Sequence, residues 1–120
     1  MTITVYHYPK CTSCRKALAW FKNEGIDVEA KDIVLETPSA AQLKEMVDAT
    51  GIPLKKLFNT SGMKYRELEL KDSLPNMPES EQFELLASDG MLIKRPISFN
   101  GKQITLGFKE SDFVENWKND

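Results

Sequence analysis

Apolar and polar residues alternate from Ile3 to Tyr6, which predicts a buried strand over residues 2–6. The period then changes. Cys14, Ala17, Leu18 and Phe21 recur at i, i+3, i+4 and i+7, the stripe of an amphipathic helix over 12–24, and Gly25 follows as its C′ residue. Residues 26–34 carry a second, less regular strand with Val28, Ala30 and Ile33 on one side. A strand, a helix of about three turns and a strand make a βαβ unit, with parallel strands and a right-handed crossover.

A long helical block follows. Thr37-Pro38-Ser39 reads as a helix start, with Ser39 and Gln42 spaced for a capping box, and Leu43, Met46 and Val47 as the apolar stripe up to Gly51. Residues 53–58 predict a short helix, 59–62 a turn, and 63–70 one or two charged helical turns. Leu74-Pro75-Asn76-Met77-Pro78 breaks the pattern. Residues 79–89 predict another helix, with Phe83, Leu86 and Ala87 inward and Gly90 as its stop. From Pro96 the period becomes two. Ile97 and Phe99, then Asn100-Gly101, then Ile104 and Leu106, predict a hairpin whose two turn residues both take positive φ. Residues 110–117 close with an amphipathic helix carrying Phe113, Val114 and Trp117.

The predicted class is α/β: one domain over 1–120, with residues 37–90 as a helical insertion between the βαβ unit and the hairpin. That order of elements resembles a thioredoxin-like fold, a four-stranded mixed sheet of two parallel strands plus an antiparallel pair.

Composition narrows the function. The chain has 41% hydrophobic and 28% charged residues and a formal net charge of −2, so no direct nucleic-acid contact is expected. No apolar run approaches the about 20 residues that span a bilayer, and the N-terminus lacks the pattern of a signal peptide, so a cytoplasmic, monomeric protein with no membrane contact is expected. In that compartment two cysteines at C-x-x-C spacing point to redox chemistry rather than to a structural staple. Two cysteines and one histidine fall short of a structural zinc site, and no metal is expected.

The chemistry concentrates in His7-Tyr8-Pro9-Lys10-Cys11-Thr12-Ser13-Cys14-Arg15-Lys16, at a predicted strand-to-helix turn. Cys11 falls at the helix N-terminus, where unpaired N–H groups and the helix dipole favour a thiolate. Lys10, Arg15, Lys16 and His7 are neighbouring cations or potential cations. Cys14 lies on the apolar stripe and is expected to be the more buried, less reactive sulfur. The asymmetry suits an attacking and a resolving thiol; a small core residue is the other reading of Cys14. Lys94-Arg95-Pro96-Ile97 is the second candidate. Met63-Lys64-Tyr65-Arg66 reads as a solvated helix face, with lining of the site as the alternative. Trp20 and Trp117 read as packing residues.

Four stretches together resemble the glutaredoxin-type arsenate reductase family, which also holds the Spx-type redox regulators. They are Tyr6 to Ala17, Lys64-Tyr65-Arg66-Glu67-Leu68, Leu92 to Ile97, and Thr105-Leu106-Gly107-Phe108. The resemblance implies a thioredoxin-like fold in which Cys11 is the catalytic cysteine and His7 helps activate it. It implies that Arg95 binds an oxyanion, and that Pro96 is cis and faces the cysteine turn. Asn59 and Phe108 stand where the arsenate reductases carry further oxyanion-binding arginines, and Lys109 or Arg66 are the candidates to compensate. Those reductases lack a cysteine at the position of Cys14 and borrow glutathione and glutaredoxin. Here Cys14 makes an internal disulfide available. The implied function is thiol–disulfide oxidoreduction with no bound cofactor, restored by an external thiol such as thioredoxin or glutathione with glutaredoxin. The Spx-type regulators carry the same C-T-S-C and bind the RNA polymerase α subunit, with the disulfide as switch. That is the alternative, although the chain ends at Trp117-Lys118-Asn119-Asp120 without the regulators' long basic extension.

Overall fold

The computed structural model describes residues 2–118; Asn119 and Asp120, named above, lie outside the described residues. Four strands form one mixed sheet in the order β2-β1-β3-β4. They are β1 (Ile3–His7), β2 (Val28–Asp32), β3 (Ile97–Phe99) and β4 (Ile104–Leu106). β1 runs parallel to β2, from Ile3 opposite Val28 to His7 opposite Asp32, and antiparallel to β3, with Tyr6 opposite Ile97. β3 and β4 are antiparallel. This is the sheet of a thioredoxin-like α/β fold.

The pleat of β1 sends Ile3 and Val5 to one face and Tyr6 to the other, and each face has its own core. On the first, α1 (Thr12–Asn23) and α6 (Glu110–Trp117) bring Ala17, Trp20, Phe21, Phe113 and Trp117 onto Ile3 and Val5. Aromatic edges meet faces there: Trp20 and Phe113 have ring centroids 5.3 Å apart at 89°. The second face is covered by the insertion. α2 (Ala40–Thr50) contributes Leu43 and Met46, and α5 (Glu79–Ser88) contributes Phe83 and Leu86, to a cluster with Tyr6 and Ile97. Between them lie α3 (Met63–Glu67) and α4 (Leu70–Ser73). α2 starts at the expected capping box, with Gln42 N–H donating to Ser39 Oγ at 3.1 Å and Ser39 N–H to Gln42 Oε1 at 2.8 Å. No helix among the described residues is long and apolar enough to cross a membrane.

Several expectations shift. Ala30 is exposed because β2 is an edge strand, and burial returns only at Ile33, past its end. Val114 is exposed, and α6 is anchored by Phe113 and Trp117 alone. Leu74-Pro75-Asn76 does not break the path but forms a 3-10 turn directly after α4, since proline is tolerated in a first turn. The hairpin turn is displaced by one residue. Asn100 N–H donates to Gln103 O at 3.2 Å, so the central pair is Gly101-Lys102, and of the two only Gly101 has positive φ, 96°. Asn100 instead accepts from Lys102 N and Gln103 N at 2.9 and 2.7 Å through its side chain, an Asx turn that holds the corner without a left-handed asparagine.

One buried group is unpaired. Ser98 is fully buried on the α1 and α6 face, between Val5 and Thr105, and its hydroxyl has no hydrogen-bond partner among the described residues. Ser98→Ala removes an unsatisfied polar atom at almost no loss of volume, and denaturant unfolding should find the variant more stable by about 1 kcal/mol.

Candidate active site

β1 ends at His7, and the chain turns back through Tyr8-Pro9-Lys10. Cys11 N–H donates to Tyr8 O at 3.0 Å, which closes the turn. Cys11 is the N-cap of α1, with φ −94° and ψ 117°, and its Sγ accepts from Cys14 N–H at 3.2 Å. A sulfur thus takes the capping role usually given to a serine or aspartate oxygen. The same geometry sets it, half-buried, at the positive end of a three-turn helix.

Cys14 lies one turn further in and is 1% exposed. Both thiols are free. Burial pushes the Cys14 thiol up, from 9.0 to about 12, and its bond with the Cys11 side chain adds to the shift. A bond with the Tyr8 backbone and the charge of Arg95 oppose it. Because the folded value is raised, the stability gained by keeping Cys14 protonated is complete below about pH 9 and is lost as pH rises towards the folded value. The reduced protein should lose about 1.4 kcal/mol of stability per pH unit above about pH 9. Cys14→Ala should flatten that slope in denaturant titrations. Burial also raises Tyr6 above 10.0, so the comparison is cleanest between about pH 9 and 10.

The neighbouring cations do not surround the sulfur. Lys10, Arg15 and Lys16 are exposed, and Arg15 Nε donates to Pro9 O at 3.0 Å, pinning the turn instead. The His7 backbone carbonyl accepts from Ile33 N–H at 2.8 Å, while its imidazole has no hydrogen bond among the described residues. Arg95 reaches the turn indirectly. The Arg95–Pro96 bond is cis. The guanidinium stacks over the Tyr8 ring, with Cζ 5.3 Å from the centroid, and Nη1 donates to Ile93 O at 3.3 Å and Met91 O at 3.4 Å. Tyr8 is therefore the link between Arg95 and the cysteine turn.

Arg95 also lines an open groove of about 610 Å³ with Asn59, Met63, Lys64, Glu67 and Asp89. A short antiparallel pairing builds it: Phe58 bridges Ile93, Asn59 N–H donates to Leu92 O at 2.8 Å, and Lys94 N–H to Leu57 O at 2.7 Å. This brings Asn59 beside the Arg95 segment. Phe108 goes elsewhere, its ring 4.8 Å from Phe113 in the opposite core. Arg66 is exposed and outside the groove, and Lys109 does not line it either. The second cation of the groove is Lys64, whose Nζ lies 3.9 Å from Asp89 Oδ2. Lys64 thus follows the alternative given for its stretch, lining of the site, rather than the solvated face, while sequence reading gives Tyr8 no role. The position of Tyr8 just before Pro9 was the available signal; the pairing of Phe58 with Ile93 had none. No cluster of three or more potential metal ligands occurs among the described residues.

A mixed four-stranded sheet with a C-x-x-C turn capping α1 defines a thioredoxin-like fold. Within that class the chain belongs to the ArsC family, whose model matches residues 6–116. It is 54% identical over 117 residues to the uncharacterized protein YusI of Bacillus subtilis, covering 98% of this chain and 99% of that one. It is 30% identical over 110 residues to the global transcriptional regulator Spx of Listeria innocua, covering 92% of this chain and 82% of the regulator. The crystal structure of a possible arsenate reductase from Streptococcus mutans superimposes with a TM-score of 0.86 at 43% identity, covering 93% of this chain and 97% of that one.

Proposed function

We propose that the chain is a thiol–disulfide oxidoreductase in which Cys11 attacks and Cys14 resolves. The observation that carries this is the asymmetry of the pair: a half-buried sulfur on a helix N-terminus, which accepts from the backbone N–H of Cys14, whose own thiol is buried one turn inside. The Cys11 thiolate attacks one sulfur of a substrate disulfide, and the other sulfur leaves as a thiolate and takes a proton from solvent. Cys14 then gives up its proton and attacks Cys11 Sγ, releasing the second substrate thiol and closing a Cys11–Cys14 disulfide. Two electrons have passed to the substrate. An external thiol, from thioredoxin or from glutathione with glutaredoxin, restores both cysteines. On arsenate the same attack would expel water, and Cys14 would leave the electron pair on arsenic as arsenite. Arg95 and Lys64 are the groove cations that would hold the anion. With Asn59 and Phe108 in place of arginines, each missing charge-assisted bond costs about 1.5–3 kcal/mol, which favours a disulfide over a free oxyanion.

In the second reading, supported by the likeness to Spx, the pair is a switch that controls binding to the RNA polymerase α subunit. One experiment separates the two. Reduced protein is assayed with hydroxyethyl disulfide and with arsenate, each with thioredoxin or with glutathione and glutaredoxin, and Cys14→Ser is used to trap the mixed disulfide. Turnover that requires Cys11, faster on the disulfide, is expected. Tight, redox-dependent binding of purified RNA polymerase α without turnover on either substrate would overturn the enzyme in favour of the switch.

A further inference from the structure

The far side of the sheet carries a feature that the cysteines do not use. β4 is an edge strand, and its ladder to β3 is bonded at alternate positions. Asn100 N–H donates to Gln103 O at 3.2 Å and Gly107 N–H to Pro96 O at 2.8 Å. The register between them makes Ser98 and Thr105 the next bonded pair. Ile104 and Leu106 therefore direct their backbone N–H and C=O groups away from β3. None of these groups meets a backbone partner outside the sheet among the described residues. A groove of about 670 Å³ runs along this edge. Its floor includes Ile104, Leu106 and Phe58, and its rim carries Lys55, Lys56 and Lys94.

The rim is chemically specific. Lys55 and Lys56 are exposed on a 3-10 turn (Leu54–Leu57), and no ion pair among the described residues includes either of them or Lys94. Asp112 is the one carboxylate among the residues that line the groove. Three unpaired ammonium groups thus gather beside a strand edge in a chain whose formal net charge is −2. Two copies joined symmetrically through β4 would set these lysines against each other, so the charge disfavours self-pairing.

We propose that the β4 edge is a docking site for an extended acidic segment of another protein, which adds to the sheet as a fifth strand beside β4. The bonds to Ile104 and Leu106 would supply backbone register. Successive side chains of the added strand would face opposite sides of the sheet, so that carboxylates on one side would meet Lys55, Lys56 and Lys94 and the apolar side chains would fall on the other. The proposal is independent of the thiol chemistry, since neither cysteine lines this groove.

The test uses the full chain and a labelled, end-capped peptide alternating glutamate and valine. Fluorescence anisotropy should give saturable binding that weakens with salt, and amide NMR shifts should centre on Ile104 and Leu106. Lys55→Glu with Lys56→Glu, both exposed positions, should weaken binding at least about tenfold. N-methylation of the peptide amides that face β4 should do the same without touching the protein. Equal binding of a lysine–valine peptide, indifference to N-methylation, or no saturable binding would overturn the proposal. So would concentration-dependent self-association that protects the Ile104 and Leu106 amides without peptide, which would make a second copy the occupant.

Discussion

Replacing Cys11 with serine should abolish turnover, by at least about a thousandfold, and leave the fold intact. The two halves of that result rest on different properties of one atom. As a nucleophile the sulfur has no substitute, because a serine hydroxyl is not ionised near neutral pH and forms no mixed disulfide. As an N-cap it is readily replaced, because serine is among the preferred capping residues. The Cys14 N–H that now donates to Cys11 Sγ at 3.2 Å would find an oxygen instead. Thermal unfolding should therefore move by no more than a few degrees. Residual turnover near the wild-type rate would show that Cys11 is not the nucleophile, and a collapse of stability would show that its role is structural.

Gly90→Ala should be the most damaging single methyl in the described chain. A Cβ built there would sit 2.1 Å from Ile33 O and 2.8 Å from Ile33 C. Both are backbone atoms, so no side chain can swing aside, and the chain just past β2 would have to separate from the segment that leads to Arg95. A loss of about 3 kcal/mol or more is expected, with an unfolding midpoint lower by about 10 °C or more. Gly25→Ala is the control. Its Cβ would meet nothing within 4 Å, and only the φ of 70° opposes it, for about 1 kcal/mol. If the two variants unfold together, the close approach at Gly90 is not a constraint. Arg95 should also lose its place on Tyr8 in Gly90→Ala, so any surviving activity should be reduced.

The same glycine illustrates where sequence was informative and where it was not. Gly90 reads as a helix stop from local pattern, yet its requirement is a contact with Ile33, 57 residues away, which no local pattern encodes. The elements themselves were legible because their signals are short-range: the Ser39/Gln42 box, the stripe of α1 and the alternation of β1. The cysteine turn was legible for the same reason, since the cap, the sulfur pair and the helix all lie within a few residues. The Arg95 groove was not. Asn59 and Arg95 come together through a single bridge between Phe58 and Ile93, and Lys64 joins them by the placement of α3. The resemblance supplied Arg95 and Asn59 as positions. It also grouped Phe108 with them, whereas the ring packs on the opposite side of the sheet. A phenylalanine that replaces a polar group is free to turn into the nearest apolar cluster.

The division of the interior into two cores also determines what can be observed of this protein. Its two tryptophans, Trp20 and Trp117, both belong to the α1 and α6 layer, and none lies in the cluster under the insertion. Tryptophan emission is thus a one-sided signal. It follows the helix that carries Cys14 and is blind to α2 and α5, which the helical circular dichroism band does include. Coincident melting by the two methods would mean that the layers unfold as a unit, and a gap between them would measure how far the insertion can loosen while the thiol layer stays closed.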